Sequence, residues 1–266
     1  MSLAVTTNIL DTSGIPPSNN PPTLPQNPLY CLREDTVAAL WEQLQRVNVI
    51  HIRGTPTTGK SVLANLFKAY IEEKRPDIRI HLFDWPINTK EFEYDTYYHL
   101  LNRLTKQPET RSDTWLRRQN TLIIINEVQR SYTFYSFWDQ FIKSLASDGG
   151  GPLVILFSSF SSAASRSIEI PVEMGSAPVQ FRPDQRISIQ SLSYTNPKVS
   201  LYFNREEFND AVARLCKGDR NGFIPSKELM QHIWELTNGH PGAVRAVMEV
   251  LIHSKVSISQ LDNHAN

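Results

Sequence analysis

Residues 54–61 read Gly-Thr-Pro-Thr-Thr-Gly-Lys-Ser, and they lie between a short apolar segment, residues 47–53, and an amphipathic segment, residues 62–71. The octet fits the pattern G-x-x-x-x-G-K-[ST] at every position. In such a loop the glycines let backbone N–H groups turn inward as an anion nest, and the start of the next helix adds its positive end. The order strand, loop, helix is the setting that this mechanism requires. The sequence therefore predicts a phosphate-binding P-loop.

This loop supplies most of the ligand-binding residues that we predict. Lys60 is expected to reach the terminal phosphates of ATP, and the Ser61 hydroxyl is expected to ligate magnesium. ATP and Mg²⁺ are therefore the predicted ligands. The nucleotide-binding residues predicted in this segment are Gly54, Thr55, Pro56, Thr57, Thr58, Gly59, Lys60, Ser61 and Val62.

A second polar site follows the apolar segment 122–125, where the next residues are Asn126 and Glu127. P-loop proteins hold the magnesium shell with an acidic group on a neighbouring strand and often orient the attacking water with a carboxylate. The usual order at this strand end is Asp, then Glu. Asn126 can accept a hydrogen bond from a magnesium-bound water, but it adds no negative charge, so we expect weaker metal binding. Glu127 is the candidate general base and acts with Lys60 as the predicted catalytic pair; nucleotide binding is better supported than fast turnover.

The fold class follows from short, β-branched, apolar segments that alternate with helical patterns. Continuous apolar runs suit strands that helices cover on both faces, as in parallel sheets. A short helix is predicted over residues 35–46, and two apolar stripes at helical spacing follow the first and third strands and are read as core. We predict an α/β fold with a RecA-like three-layer core. The predicted strands are residues 47–53, 78–83, 122–125, 153–157 and 187–189.

After Ser191 only helical signals remain. Asn204 with Glu207 resembles a capping box, Ser226 is placed to open a second helix, and Pro241 stands at the first position of a third. These helices predict a C-terminal helical lid domain. The predicted division is a flexible, proline-rich leader over residues 1–28, a P-loop domain over 29–193 and the lid over 194–266.

Three more residues are candidates for contact with nucleotide. Ser159 follows the strand 153–157, where a polar side chain can sense the terminal phosphate, although serines commonly follow strands in any case. In the lid, the Pro241 ring could pack on adenine, and Arg245 could swing to the phosphates if the lid closes. The alternative for both is a well-capped helix without a ligand.

Charge and hydropathy bear on partners and compartment. Twenty-seven basic residues balance 27 acidic ones, so no net field draws the chain to nucleic acid or to an anionic membrane. No apolar run approaches the roughly 18 to 20 residues of a transmembrane helix, and the start lacks a secretory signal pattern. We therefore expect an intracellular protein, cytoplasmic by default.

Taken together, the motifs resemble the ATPase module of fungal Crinkler-type proteins, which belongs with the STAND and AAA-like ATPases. The resemblance covers about residues 29–254. It implies an ATP-dependent switch or motor ahead of an effector domain, often nuclease-like and sometimes delivered into a host cell or its nucleus. This sequence differs in having Asn126 for Asp and in ending soon after the lid, so we expect no effector domain in it. The motifs are residues 53–61, 123–129, 155–160, 203–208 and 239–243.

Three functions remain open on these grounds. The first is slow hydrolysis of ATP to ADP and phosphate. The second is a non-hydrolysing nucleotide switch whose output is lid position or self-association, and Asn126 is the feature that supports it. The third is a DNA-handling AAA-type ATPase, which the balanced charge and the lack of an obvious winged-helix segment after the lid oppose.

Overall fold

The computed structural model describes residues 29–87, 96–106, 116, 120–132, 134–148, 150–159, 179–189, 199–218 and 222–264. The side chains of residue 148 and of residues 255–264 are not described. The predicted leader, residues 1–28, lies outside the described residues, and the division between P-loop domain and lid at residue 193 stays a prediction.

Five strands form one parallel sheet in the order β2-β3-β4-β1-β5. All five predicted strands are confirmed, with small shifts at their ends. β4 extends two residues further than predicted, because its last residue still pairs with the last residue of β1. The strands are β1 (Val49–Gly54), β2 (Arg79–Asp84), β3 (Thr121–Asn126), β4 (Leu153–Ser159) and β5 (Arg186–Ile187).

The helices lie on both faces of the sheet and in a separate C-terminal group. The segment predicted as a helix after β3 contains a π-helix, Phe137–Ile142, ahead of an α-helix. Apolar spacing could not reveal this difference, because residues four apart share a face in either kind of turn. The α-helices are α1 (Glu34–Val47), α2 (Lys60–Lys74), α3 (Tyr97–Leu104), α4 (Lys143–Asp148), α5 (Arg205–Lys217), α6 (Lys227–Thr237) and α7 (Pro241–His264).

Side chains of successive strand residues point to opposite faces of the sheet and build two cores. On one face, Ile52 and Ile124 pack in a cluster with Leu63 and Phe67 of α2 and with apolar residues of α1. On the other face the strands pack against α3, the π-helix and α4. The predicted three-layer α/β arrangement is therefore confirmed.

The C-terminal helices (α5, α6 and α7) surround a third apolar cluster of their own. Their predicted starts are confirmed: Asn204 Oδ1 accepts from the Glu207 backbone N–H at 2.8 Å, and the Ser226 hydroxyl accepts from Leu229 N–H at 3.2 Å. α7 begins at Pro241. In the part of the chain that is described, no helix has the length and apolar character needed to cross a membrane.

A buried ion pair joins the C-terminal helices to the sheet domain. Arg33, 5% exposed, donates from Nε to Glu207 Oε1 at 3.1 Å and from its other nitrogens to the carbonyls of Leu201 and Ser200 at 3.1 and 2.8 Å. The Thr36 hydroxyl donates to the same Glu207 oxygen. Removing either partner of a buried ion pair leaves an uncompensated charge in the interior and is strongly destabilising. The pair therefore fixes α5 against the start of α1. The C-terminal helices are thereby held beside the carboxyl ends of the strands.

Candidate nucleotide-binding site

The loop between β1 and α2 depends on backbone conformations that glycine adopts easily. Gly59 caps α2 with φ of 83°, and Thr57 is also left-handed, with φ of 64°. Gly54 is needed for space: a Cβ there would lie 2.3 Å from Leu201 Cδ1 and 2.8 Å from Thr58 Oγ1. The Thr58 hydroxyl in turn donates to the Thr55 carbonyl at 2.8 Å. The predicted strand, loop and helix are therefore present.

Lys60, the first residue of α2, is folded back over this loop. Its ammonium donates to the carbonyls of Gly54 and Thr55 at 3.0 and 2.7 Å, and the residue is 7% exposed. Burial lowers the pKa of Lys60 from its ordinary value, while the charge of Glu127 acts in the opposite direction. Ser61 follows in the first turn of α2 and is exposed.

Asn126 ends β3 on the face of the sheet that α2 covers. Leu122 and Ile124 pack on that face, and strand alternation puts Asn126 on the same side. It is 6% exposed, and its Oδ1 has no hydrogen-bond partner among the described residues. A buried oxygen of this kind costs about 1–3 kcal/mol unless something donates to it. Water in a magnesium shell is such a donor, so Ser61 and Asn126 suit the oxygen chemistry that Mg²⁺ prefers.

A carboxylate that sequence reasoning did not identify lies beside this amide. Asp84 ends β2 and is opposite Asn126 in the β2–β3 register, on the same face and exposed. Only the strand pairing reveals this position, since the two residues are 42 positions apart in the sequence. Asp84 therefore places a carboxylate on the strand next to Asn126, whose own side chain is neutral.

The residue after Asn126 turns the chain sharply. Glu127 has φ of 54° and ψ of 33°, a left-handed conformation that costs a non-glycine residue about 1–3 kcal/mol. Contacts further along fix the following turn: Arg130 donates to the Trp85 carbonyl at 3.1 Å, and Trp138 Nε1 donates to the Ser131 carbonyl at 3.0 Å. The Glu127 side chain is thereby directed to a cleft between the P-loop and α7.

Gln129 is a site residue that sequence reasoning missed. Its Nε2 donates to Glu127 Oε2 at 2.5 Å, and its Oε1 accepts from the Ser159 backbone N–H at 3.0 Å. The amide therefore bridges the ends of β3 and β4. No local sequence signal identifies this contact, because the second bond joins residues 30 positions apart.

The cleft has a volume of about 580 Å³, within the range of small-molecule sites. It brings together residues from the P-loop, the ends of β3 and β4, and α7. Gly54, Thr55, Thr58 and Asn126 are not among the lining residues. The predicted site residues that line the cleft are Pro56, Thr57, Gly59, Lys60, Ser61, Val62, Glu127, Ser159, Pro241 and Arg245.

Part of the cleft lining is an apolar wall, which the sequence did not predict. Burial raises the pKa of the Cys31 thiol to about 12, so this wall carries no charge from Cys31 near neutral pH. The residues of this wall are Leu29, Tyr30, Cys31, Phe203, Ala211, Leu215 and Val244.

The start of α7 is docked on the P-loop. The Gly242 N–H donates to the Thr57 carbonyl at 3.1 Å, and the β-carbon and γ-carbon of Pro241 lie 3.6 Å from where a Cβ on Gly59 would stand. Arg245 Nε donates to Glu249 Oε1 at 2.7 Å, one turn further along. Arg245 thus lines the cleft, but contact with a phosphate requires it to leave Glu249.

Gly242→Ala is expected to weaken ATP binding about tenfold, because the added Cβ would lie 2.7 Å from Thr57 Cβ and 2.8 Å from the Thr57 carbonyl oxygen. Overpacking of this kind costs about 1–3 kcal/mol, and 1.4 kcal/mol is a factor of ten in affinity. The strain pushes α7 and its cleft residues away from the P-loop. Calorimetric titration with ATP measures the change.

Thr57→Gly is the matched partner variant for this prediction. It removes two of the three atoms that the new methyl group meets, and glycine suits the left-handed backbone at this position. We therefore expect the double variant to recover part of the lost affinity. Unchanged affinity in Gly242→Ala alone would show that the docking of α7 does not contribute to binding.

Comparison with known proteins finds folds similar to this one among solved structures. No protein-family model matches the sequence. No curated protein matches it either. A Walker-type ATPase of Pyrococcus abyssi is 16% identical, with 88% of this chain and 75% of that chain covered and a TM-score of 0.48. Domain III of the replication initiation protein DnaA from Thermotoga maritima is 12% identical, with 86% and 90% covered and a TM-score of 0.45. RuvB of Thermotoga maritima is 12% identical, with 82% and 64% covered and a TM-score of 0.44.

The fold assignment rests on the chain's own geometry. A parallel sheet with β4 between β1 and β3 places the P-loop and the Asn126–Glu127 turn at the same edge, where ligands bind in open α/β sheets. The glycine-dependent loop opens directly into α2 with Lys60 at its start. The chain therefore has the parallel α/β fold of a P-loop NTPase core, with a C-terminal helical group beside its β1–α2 loop.

Proposed function

We propose that this chain binds ATP with magnesium in the cleft between the P-loop and α7 and hydrolyses it slowly to ADP and phosphate. The observation that carries the proposal is that Lys60, at the start of α2, and Glu127, directly after β3, line the same cleft as the P-loop. A cation that neutralises the phosphates and a group that orients or deprotonates the attacking water are recurring side-chain functions in phosphoryl transfer to water.

The residues of the cleft have different roles in the proposed hydrolysis of ATP. Backbone N–H groups of the loop hold the phosphates, and Lys60 exchanges its contacts with the Gly54 and Thr55 carbonyls for phosphate oxygens. Glu127 takes a proton from the water that attacks the γ-phosphorus, and the bond from that phosphorus to the β–γ bridging oxygen breaks to leave ADP. Ser61 and Asn126 would hold magnesium and its water, and the metal would neutralise charge on the phosphates when bound.

The remaining cleft residues fit the rest of the nucleotide. The apolar wall around Tyr30 and Phe203 suits the adenine ring, and Pro241 lines the same cleft close to Gly59 of the loop. Ser159 is paired with Gly54 in the β1–β4 register, so it lies near the terminal phosphate. Arg245 is a second cation for the phosphates once it leaves Glu249.

A second candidate function is a switch that binds ATP without hydrolysing it. The observation in its favour is the bond from Gly242 to Thr57, which joins α7 directly to the phosphate-binding loop. A phosphate in that loop can move α7 without any bond being broken. The neutral amide of Asn126 favours the same function, because it weakens the support of the metal.

The setting of this activity is proposed from the Crinkler-type resemblance alone. We place the chain as an intracellular, ATP-dependent switch or motor module of such a protein. Its output would be the position of the C-terminal helices or self-association. Nothing in the described residues favours DNA as its target over these outputs.

Phosphate release from ATP, measured with malachite green on the purified chain, tests the proposed hydrolysis. Calorimetry on the same sample measures ATP binding. Slow release together with saturable binding is expected. Saturable binding without release would favour the switch, and absence of both would reject the proposed function.

Asn126→Asp is expected to raise magnesium affinity and hydrolysis rate together, by about tenfold and most strongly at low metal. A carboxylate acting through a bound water contributes on the order of 1–2 kcal/mol. Repulsion from Glu127 and from Asp84 opposes the gain when metal is scarce. Magnesium titrations of the rate separate the two effects.

Asn120→Asp is the control for this charge change. It makes the same substitution at an exposed residue next to the opposite end of β3 and should leave the metal dependence unaltered. If Asn126→Asp binds ATP but turns it over no faster at any magnesium concentration, Asn126 does not limit hydrolysis. The non-hydrolysing switch would then be the better account.

A further inference from the structure

Gln129 has one geometry that satisfies both of its neighbours. The Ser159 backbone N–H can only donate, so it requires the amide oxygen, and the Glu127 carboxylate accepts, so it requires the amide nitrogen. A glutamate at this position would supply the first contact but not the second when ionised. A methionine of similar length would supply neither.

The bond from Gln129 restricts where the Glu127 carboxylate can point. Gln129 Nε2 lies 2.5 Å from Glu127 Oε2, and an Arg130 nitrogen lies 3.9 Å from the same oxygen. Both groups therefore engage Oε2, which leaves Oε1 to accept a proton from water. Hydrogen bonds to a charged acceptor are the stronger kind, so this one can hold a side chain that is otherwise free to rotate.

The other end of Gln129 is anchored beside the phosphate-binding loop. Ser159 is the last residue of β4 and is paired with Gly54, the last residue of β1. Glu127 is thus tied, through one amide, to the strand end next to the P-loop. The turn that carries Gln129 is itself held by Arg130 on Trp85 and by Trp138 on Ser131.

We propose that Gln129 is a positioning residue for hydrolysis, which aims Glu127 at the attacking water by bridging it to the backbone of Ser159. The inference rests on the proposed ATPase function and goes beyond it by assigning a role that the P-loop pattern does not contain. Gln129 acts through Glu127; it transfers no proton itself.

Two substitutions of Gln129 test its two hydrogen bonds separately. Gln129→Met removes both bonds, and Gln129→Glu keeps an acceptor for Ser159 but removes the donor to Glu127. We expect both to lower kcat by about 10- to 100-fold with KM for ATP within about twofold of the parent. Hydrogen exchange at the Ser159 amide should be faster in Gln129→Met and stay close to the parent rate in Gln129→Glu. Gln45→Met, at an exposed residue of α1, is the control and should change neither quantity.

Each outcome of these measurements supports or overturns the proposed role of Gln129. A Gln129→Met variant that keeps the parental kcat would overturn it, and so would a Gln129→Glu variant that keeps it, since the donor to Glu127 would then be dispensable. A raised KM with unchanged kcat would assign Gln129 to binding instead. If the parent binds ATP but releases no phosphate, the proposed hydrolysis fails and this role fails with it; if the parent hydrolyses ATP and both variants match it, only this inference fails.

Discussion

Lys60→Ala is expected to reduce ATP affinity by at least about 100-fold and to leave the fold intact. The Lys60 ammonium is the only charged group of the P-loop octet, and two of its carbonyl contacts can be replaced by phosphate oxygens. Hydrogen bonds to charged groups contribute about 1.5–3 kcal/mol each, so losing two costs about 3–6 kcal/mol. A 100-fold difference in Kd corresponds to about 2.7 kcal/mol, which this loss exceeds. Calorimetric titration with ATP measures the loss.

The control for this variant is Lys68→Ala, two turns further along the same helix. Lys68 pairs with Glu72 at 2.6 Å in an i,i+4 contact on the partly exposed side of α2, which contributes about 0.3–0.5 kcal/mol. It should bind ATP like the parent. Lys60→Ala should keep the circular dichroism spectrum of the control, because alanine suits a helix. Its melting temperature should be lower, because the carbonyls of Gly54 and Thr55 lose their donor. Parental ATP affinity in Lys60→Ala would contradict the assignment of the loop.

Glu127→Gln is expected to lower the hydrolysis rate by about 100- to 10,000-fold and to leave ATP binding nearly unchanged. A positioned general base contributes a factor of that size, and an amide cannot take the proton from water. The substitution keeps the length of the side chain and the left-handed backbone. The new amide oxygen can still accept from Gln129. Single-turnover measurements of phosphate release, with ATP binding by calorimetry, give both quantities.

Glu72→Gln is the matched control, since it removes the same charge from an exposed site on α2. It should hydrolyse ATP at the parental rate. If Glu127→Gln also turned over at that rate, Glu127 would have no role as a base, and the water would have to be activated by another group of the cleft.

The sequence predicted the parts of this molecule whose signals are local. The P-loop octet specifies its own backbone through two glycines and is recognised without knowing anything distant. β3 is recognised by its run of isoleucines, and the start of α5 by Asn204 with Glu207, because each is contained within a few residues. For such features the short-range chemistry is nearly the whole cause of the structure.

The features that sequence reasoning missed depend on how distant segments are brought together. Gln129 meets Ser159 only because β3 and β4 are neighbours in the sheet, and Asp84 stands beside Asn126 only because β2 pairs with β3 in that register. Pro241 predicts the start of α7, but the closeness of Gly242 to Thr57 follows from the docking of that helix on the loop. No periodicity or motif encodes these distances.

The strongest single test of this account is a calorimetric titration of the parent chain with ATP in the presence of magnesium, repeated with excess chelator. We predict saturable binding of one ATP per chain that is weaker without magnesium, since Ser61 and Asn126 are proposed to support the metal. Saturable binding in both conditions with identical affinity would remove magnesium from the site. Absence of saturable binding with magnesium present would contradict the central claim that this cleft is an ATP site.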